Sequence, residues 1–157
     1  MSVSLLEIYL NDHLAGSAGG AALARRVARS HPDTQELQAL AEEVAADREA
    51  LVTIVGRLGL RRTRYKEPAA LVAERVGRLK LNGSVLRRSP MTDVVEFEAL
   101  ALATTGKRAA WCTLRALADG NSELDPAELD ALIARADSQL AALERLREAA
   151  ARTAFAA

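Results

Sequence analysis

The stretch Leu37-Gln38-Ala39-Leu40-Ala41-Glu42-Glu43-Val44-Ala45-Ala46-Asp47-Arg48-Glu49-Ala50-Leu51-Val52-Thr53-Ile54-Val55-Gly56-Arg57-Leu58 decides the fold. Its apolar residues Leu37, Leu40, Val44, Leu51, Ile54 and Leu58 follow at steps of three, four, seven, three and four. Those steps trace one stripe of an α-helix, a heptad seam with a single position left without an apolar residue. Asp33, with Glu36 three residues later, reads as a capping box that opens this helix. Gly59 stands where a C′ glycine would close it.

Upstream, a first helix is expected from Ser4 to Arg29, stopped by Ser30-His31-Pro32-Asp33, because proline cannot continue the hydrogen-bond ladder. Downstream, the basic stretch Arg61-Arg62-Thr63-Arg64-Tyr65-Lys66 leads into a short helical segment near Pro68 to Leu81, followed by the turn signal Asn82-Gly83. Thr92 is a candidate cap for a third helix that runs to Ala118, with Gly106 as a weak point inside it. Asp119-Gly120-Asn121-Ser122 reads as a loop. Asp125-Pro126-Ala127-Glu128 then combines a capping acid, a first-position proline and an early Glu. The fourth helix continues to Ala154 through Leu129, Leu132, Ala136, Leu140, Leu143, Leu146 and Ala150.

Four long helices of roughly 26–30 residues would each span about 40–45 Å. The first and last connections are short, which makes hairpins of helices one and two and of helices three and four. The middle connection, about 60–91, is long enough to travel the bundle. The expected fold is therefore all-α: one domain over 1–157, an antiparallel four-helix bundle with a long basic crossover that contains a short helix. A solenoid is the rival, but no repeat recurs at a fixed period.

Composition agrees. Of 157 residues, 50% are hydrophobic, enough to build a core and exclude wholesale disorder. Alanine and leucine dominate, both strong helix formers, while nine Gly and four Pro are too few for a turn-rich β chain. Lys plus Arg and Asp plus Glu are 21 each, so the formal charge is zero, unlike a general binder of polyanions. A single cysteine excludes an intrachain disulfide and a cysteine zinc site. No charged leader with an apolar h-region opens the chain and no run of about 18 apolar residues lacks charges, so neither a secretory signal nor a membrane span is expected. Cytoplasmic localisation is the resulting expectation.

Asp47 is the most informative residue, because it fills the missing position of the second-helix seam. A carboxylate there must be paired, hydrogen-bonded, protonated or metal-bound. Glu43 lies one turn away. Glu98 stands between Val95 and Leu102 on the third helix, and His13 between Leu10 and Ser17 on the first. Glu43, Asp47, Glu98 and His13 could together hold a divalent metal such as iron or manganese inside the bundle. The competing reading pairs the acids with Arg48, Lys107, Arg108 or the basic crossover, and makes His13 an interhelical histidine. His31, beside Pro32, is expected to be exposed.

The layout of four long helices with a crossover in the middle resembles the ferritin-like superfamily over nearly the whole chain. The resemblance implies one Glu on the first and third helices and Glu-x-x-His on the second and fourth. Glu7 matches the first-helix acid, Glu98 or Glu96 the third, and Glu43 the second. Ala46 stands where the second-helix histidine would be, and the fourth helix offers Asp137, Gln139 and Glu144 but no histidine. The chain is also similar to a bacterial group in its Asn11-Asp12-His13 and Lys80-Leu81-Asn82-Gly83 segments.

Gly16, Gly19 and Gly20 cluster within the first helix, where each interior glycine costs about 0.5–1 kcal/mol relative to alanine. Close backbone packing, in the bundle or across a dimer, would account for them; a kink that admits a ligand is the alternative. Between Arg57 and Arg88 stand ten Lys or Arg against Glu67 and Glu74, a net of +8 offset by −8 elsewhere. Arg61, Arg62, Arg64 and Lys66 are thus candidates for an anionic ligand, although the balance suggests that the crossover lies on the chain's own acidic helices. With Tyr65 as the patch's one aromatic, nucleic acid is not expected as a partner. Trp111, Phe97, Leu100 and Leu114 read as core, and Cys112 as a small buried residue. No phosphate loop, dinucleotide fingerprint, serine elbow or His-Glu-x-x-His occurs. The expected function is a structural or interaction role as a homodimer, with no catalytic residue assigned and enzyme activity left open. Metal-carboxylate and anion-binding readings stand as alternatives.

Overall fold

A computed structural model of the chain describes residues 4–62 and 89–156. Four α-helices make up almost all of them, with no strand among the described residues: α1 (Leu5–Ser30), α2 (Gln35–Arg57), α3 (Pro90–Leu117) and α4 (Pro126–Phe155). A 3-10 turn, Ala118–Gly120, closes α3. The short helix expected near Pro68 to Leu81, the Asn82-Gly83 turn and Tyr65 lie outside the described residues.

The helix ends follow from local chemistry. Ser4 caps α1 by accepting the Glu7 amide at 3.0 Å, and Asp125 caps α4 by accepting the Ala127 amide at 2.9 Å. Gly59 has φ +65°. Its amide donates to Gly56 O at 3.0 Å and the Leu60 amide to Val55 O at 3.2 Å, the paired bonds of a Schellman stop. Two expected starts are displaced. Thr34, rather than Asp33, occupies the N-cap of α2 and makes no side-chain cap bond; α3 opens at Pro90 after Ser89, ahead of Thr92. In both, a neighbouring residue with extended backbone took the cap position.

Residue pairings fix how the helices lie. Along α1 and α3, Tyr9 meets Thr113, Gly20 faces Ala103 and Arg26 meets Glu96, so numbering rises on one helix as it falls on the other. Between α2 and α4, Arg57 meets Glu128, Asp47 meets Arg135 and Glu36 meets Arg145, again in opposite order. Asn11, buried in α1, donates to Glu7 O at 2.8 Å and to Arg61 O at 2.9 Å, tying the chain beyond α2 back to α1.

The buried seam of α4 is Leu129, Leu132, Ala136, Gln139 and Leu143, at steps of three and four, so Gln139 rather than Leu140 continues it. In α3 the same rhythm runs Phe97, Leu100, Thr104, Lys107, Trp111, Leu114 and on to Ala118. These seams divide the interior into two apolar cores. One gathers Leu10, Leu51, Ile54, Trp111, Leu114 and Leu129; the other gathers Leu23, Val27, Leu37, Leu40, Phe97 and Leu143. A fully buried Leu or Phe contributes about 1.5–3 kcal/mol, so these cores supply the main drive for assembly. Midway between them the seams turn polar: Asp47 on α2, Thr104 and Lys107 on α3, Gln139 on α4. On α1 the same level carries Gly16, Ser17 and Gly20.

Candidate functional site: a charged layer beside a cavity

Asp47 is 1% exposed, and four donors converge on it from two other helices. Arg135 Nε donates to Oδ1 at 2.7 Å, and the same guanidinium closes an ion pair with that oxygen. Lys107 Nζ from α3 and Gln139 Nε2 from α4 both donate to Oδ2, the latter at 3.1 Å. Gln139 also donates to Glu43 Oε2 at 3.0 Å and accepts from Lys107 through Oε1. Two acids, two cations and one amide thus form a closed network in which formal charge cancels. Such a buried pair survives desolvation only when its lone pairs and protons are met by further hydrogen bonds, and Gln139 supplies them. Burial pulls the Lys107 ammonium below its ordinary pKa, with Asp47 pulling the other way.

The expected buried position of Asp47 holds, and of its two cationic partners, Lys107 and Arg135, the first is one of the residues named as a rival to metal. Arg48 instead pairs with Glu49 at 3.0 Å, and Arg108 with Asp137. Glu43 joins the network through Gln139. Glu98 does not: it is exposed, and Leu102, the residue that set its phase, is 75% exposed. The seam of α3 runs through Phe97, which turns the neighbouring Glu98 outward and Glu96 inward against Arg26 at 2.7 Å. Among the described residues no group of three His, Cys, Asp or Glu is placed to hold a metal ion. Arg61 and Arg62 are exposed just beyond α2; Arg64 and Lys66 lie outside the described residues.

His13 is half-buried, its ring edge-on to Tyr9 with centroids 4.6 Å apart. Burial lowers its pKa below the ordinary value, opposed by the negative charge of Asp12. His31, expected exposed, is half-buried: Nδ1 lies 3.0 Å from Val27 O and Nε2 3.4 Å from Asp93. Cys112 is also half-buried.

A cavity of about 460 Å³ opens between α1, α2 and α3, directly beside the charged layer. Its mouth includes exposed Asp12, Gly16 and Leu102; its floor includes buried Asp47, Leu100 and Trp111. The glycines of α1 explain the space. A Cβ at Gly16 or at Gly106 would meet nothing within 4 Å, and one at Gly20 would touch only the Ala103 methyl at 3.7 Å. Close packing within this chain therefore does not account for Gly16 or Gly20, and α1 stays helical through them. They leave an opening where side chains would otherwise fill the layer.

Arg135 and Gln139 carry much of this site, and Arg135 is not among the residues that spacing singles out. The signal for Gln139 was its seam position between Ala136 and Leu143, the argument already applied to Asp47. Arg135 lies off the seam and reaches inward along its stem, which no spacing rule reveals. Comparisons with protein-family models, with curated proteins and with solved structures returned no match.

Proposed function

We propose that this chain is a helical-bundle protein with a structural or interaction role, antiparallel in its helix pairs and ferritin-like in its connectivity. The opposed numbering of the α1–α3 and α2–α4 pairings supports that topology, as does a connection between α2 and α3 more than thirty residues long. The observation that carries the functional reading is the state of Asp47: each of its oxygens is held by a cation from a different helix. The acid thereby clamps α2 to α3 and α4.

A homodimer suits the surface, where Leu5, Leu102 and Phe155 are 85%, 75% and 64% exposed. No helix among the described residues is long and apolar enough to cross a membrane, in keeping with a cytoplasmic setting. Metal analysis of untagged protein and of Asp47→Asn tests the reading. No stoichiometric iron or manganese in either is expected; metal bound by the wild type and lost in the variant would replace it with the metal-carboxylate alternative. Light scattering tests the dimer, which a persistent 16.8 kDa species would exclude.

A further inference from the structure

α3 carries two seams. Phe97, Leu100, Thr104, Lys107, Trp111 and Leu114 face the bundle, while Val95, Ala99, Leu102, Gly106, Ala109, Thr113 and Ala116 follow at alternating steps of four and three along the other side. That alternation is the seam of a coiled coil. None of its members is buried, and Leu102, Ala109, Thr113 and Ala116 are exposed. The seam holds no charge, whereas the exposed side of α2 carries Glu36, Glu42 and Glu49 and that of α4 carries Asp130, Asp137, Glu144 and Glu148. A helix with apolar stripes on two sides needs cover on both; among the described residues the second is left open at Leu102 and Ala109. Gly106 sits in this seam. An interior glycine costs about 0.5–1 kcal/mol against alanine, and a Cβ there would meet nothing within 4 Å, so packing within one chain does not account for it. Leu102 projects from the same seam one turn earlier, 75% exposed.

We propose that α3 pairs antiparallel with α3 of a second copy along this seam, around a two-fold axis at the level of Thr104, so that Leu102 of each copy seats on Gly106 of the other. A two-fold contact requires each copy to present both halves of the same fit, and the seam does so with a projecting leucine and, four residues on, the space to receive one. In that register Ala99 lies across from Ala109 and Val95 from Thr113. A parallel pairing would set Leu102 against Leu102 and leave the space at Gly106 unfilled. The chain's formal charge is zero, so two copies approach without net repulsion. The area also suffices. α1 and α3 lie side by side with axes about 8–10 Å apart, giving a face roughly 20 Å wide, and the seam runs about 31 Å. The footprint is on the order of 600 Å² in projection, which side-chain relief raises toward the ~800 Å² per partner usual for a specific interface. Leu117 of α3 and Leu5 and Ile8 of α1, all exposed, extend the apolar surface at the Thr113 end. Gly16 and Gly20 of α1 stand beside the seam, over the opening, and take no part in the contact. The inference rests on the homodimer reading and adds its face, direction and register.

Light scattering over a dilution series of the full chain tests it. The wild type should be a dimer. Leu102→Glu removes two buried leucines per dimer and should raise the dissociation constant roughly a hundredfold or more. Gly106→Leu, which sets leucine against leucine, should weaken the dimer while the helical circular dichroism and thermal midpoint of the protomer hold. The decisive variant exchanges the two: Leu102→Gly with Gly106→Leu rebuilds the same fit in reverse and should dimerise more tightly than either single change. Ala141→Glu, on the exposed side of α4, should leave the dimer intact. A monomeric wild type overturns the homodimer reading and this inference with it. A dimer that Leu102→Glu and Gly106→Leu leave unchanged overturns the face alone, and a double variant no tighter than the singles overturns the register. If Leu102→Glu lowers the thermal midpoint without changing the mass, residues 63–88 of the same chain cover the seam and the proposal fails.

Discussion

The midsection of this protein has two sides built on opposite solutions. Toward α4, the level between the two apolar cores is filled by Glu43, Asp47, Lys107, Arg135 and Gln139, with each oxygen of Asp47 engaged. Toward α1, the same level is given to Gly16, Ser17 and Gly20, and a cavity of about 460 Å³ remains. The filled side gains geometry: a carboxylate fixed by directional bonds holds three helices in register. The open side gives up packing. A polar layer is thus tolerated where every member is satisfied, whereas an opening is tolerated where the helix lining it carries no side chain to lose.

The sharpest way to break that contrast is to remove Asp47. Asp47→Ala strands Lys107, whose side chain is only 16% exposed, beside Arg135, and should cost about 3 kcal/mol of stability in chemical denaturation. The double variant Asp47→Leu with Lys107→Met replaces the central pair by apolar groups and should recover much of that loss. If it is no more stable than Asp47→Ala, the network is not held by charge compensation.

A smaller effect of opposite sign is expected on the open side. Gly16→Ala and Gly20→Ala should each stabilise the protein by about 0.5–1 kcal/mol through helix propensity, because neither new methyl meets a close contact within the chain. Loss of stability, or dissociation of a dimer in either variant, would mean that another chain covers these glycines and that the open side is an interface.

The smallest effect belongs to His13, which lines the same opening. Its pKa is lowered by burial, more than Asp12 raises it. A base with a lowered folded pKa binds its proton less tightly folded than unfolded, so stability rises with pH up to the ordinary value of 6.5 and falls on acidification. Denaturation of wild type and His13→Gln across that window should show a shallower loss in the variant. Identical slopes would show that His13 is as solvated in the fold as out of it.

Spacing within single helices determined a great deal. The stripe from Leu37 to Leu58 and the signal Asp125-Pro126 located α2 and α4, and Gly59 marked a stop that the chain makes with φ +65°. The gap in the α2 seam placed Asp47 inside, since a residue's face on a helix depends only on its neighbours three and four away. Phase failed where apolar residues ran on two faces at once. In Val95-Glu96-Phe97-Glu98, both Val95 with Leu102 and Phe97 with Leu100 define plausible stripes, and only packing against α1 and α4 selected the second, turning Glu98 out and Glu96 in. Tertiary structure alone decided that Lys107 and Arg135, 60 and 88 residues from Asp47, would meet on it, because charges of one sign are interchangeable in a sequence until the helices bring particular ones together. It also decided what Gly16 and Gly20 mean. A sequence records that side chains are missing, but whether that absence becomes a close contact or a cavity depends on the distance to the facing helix.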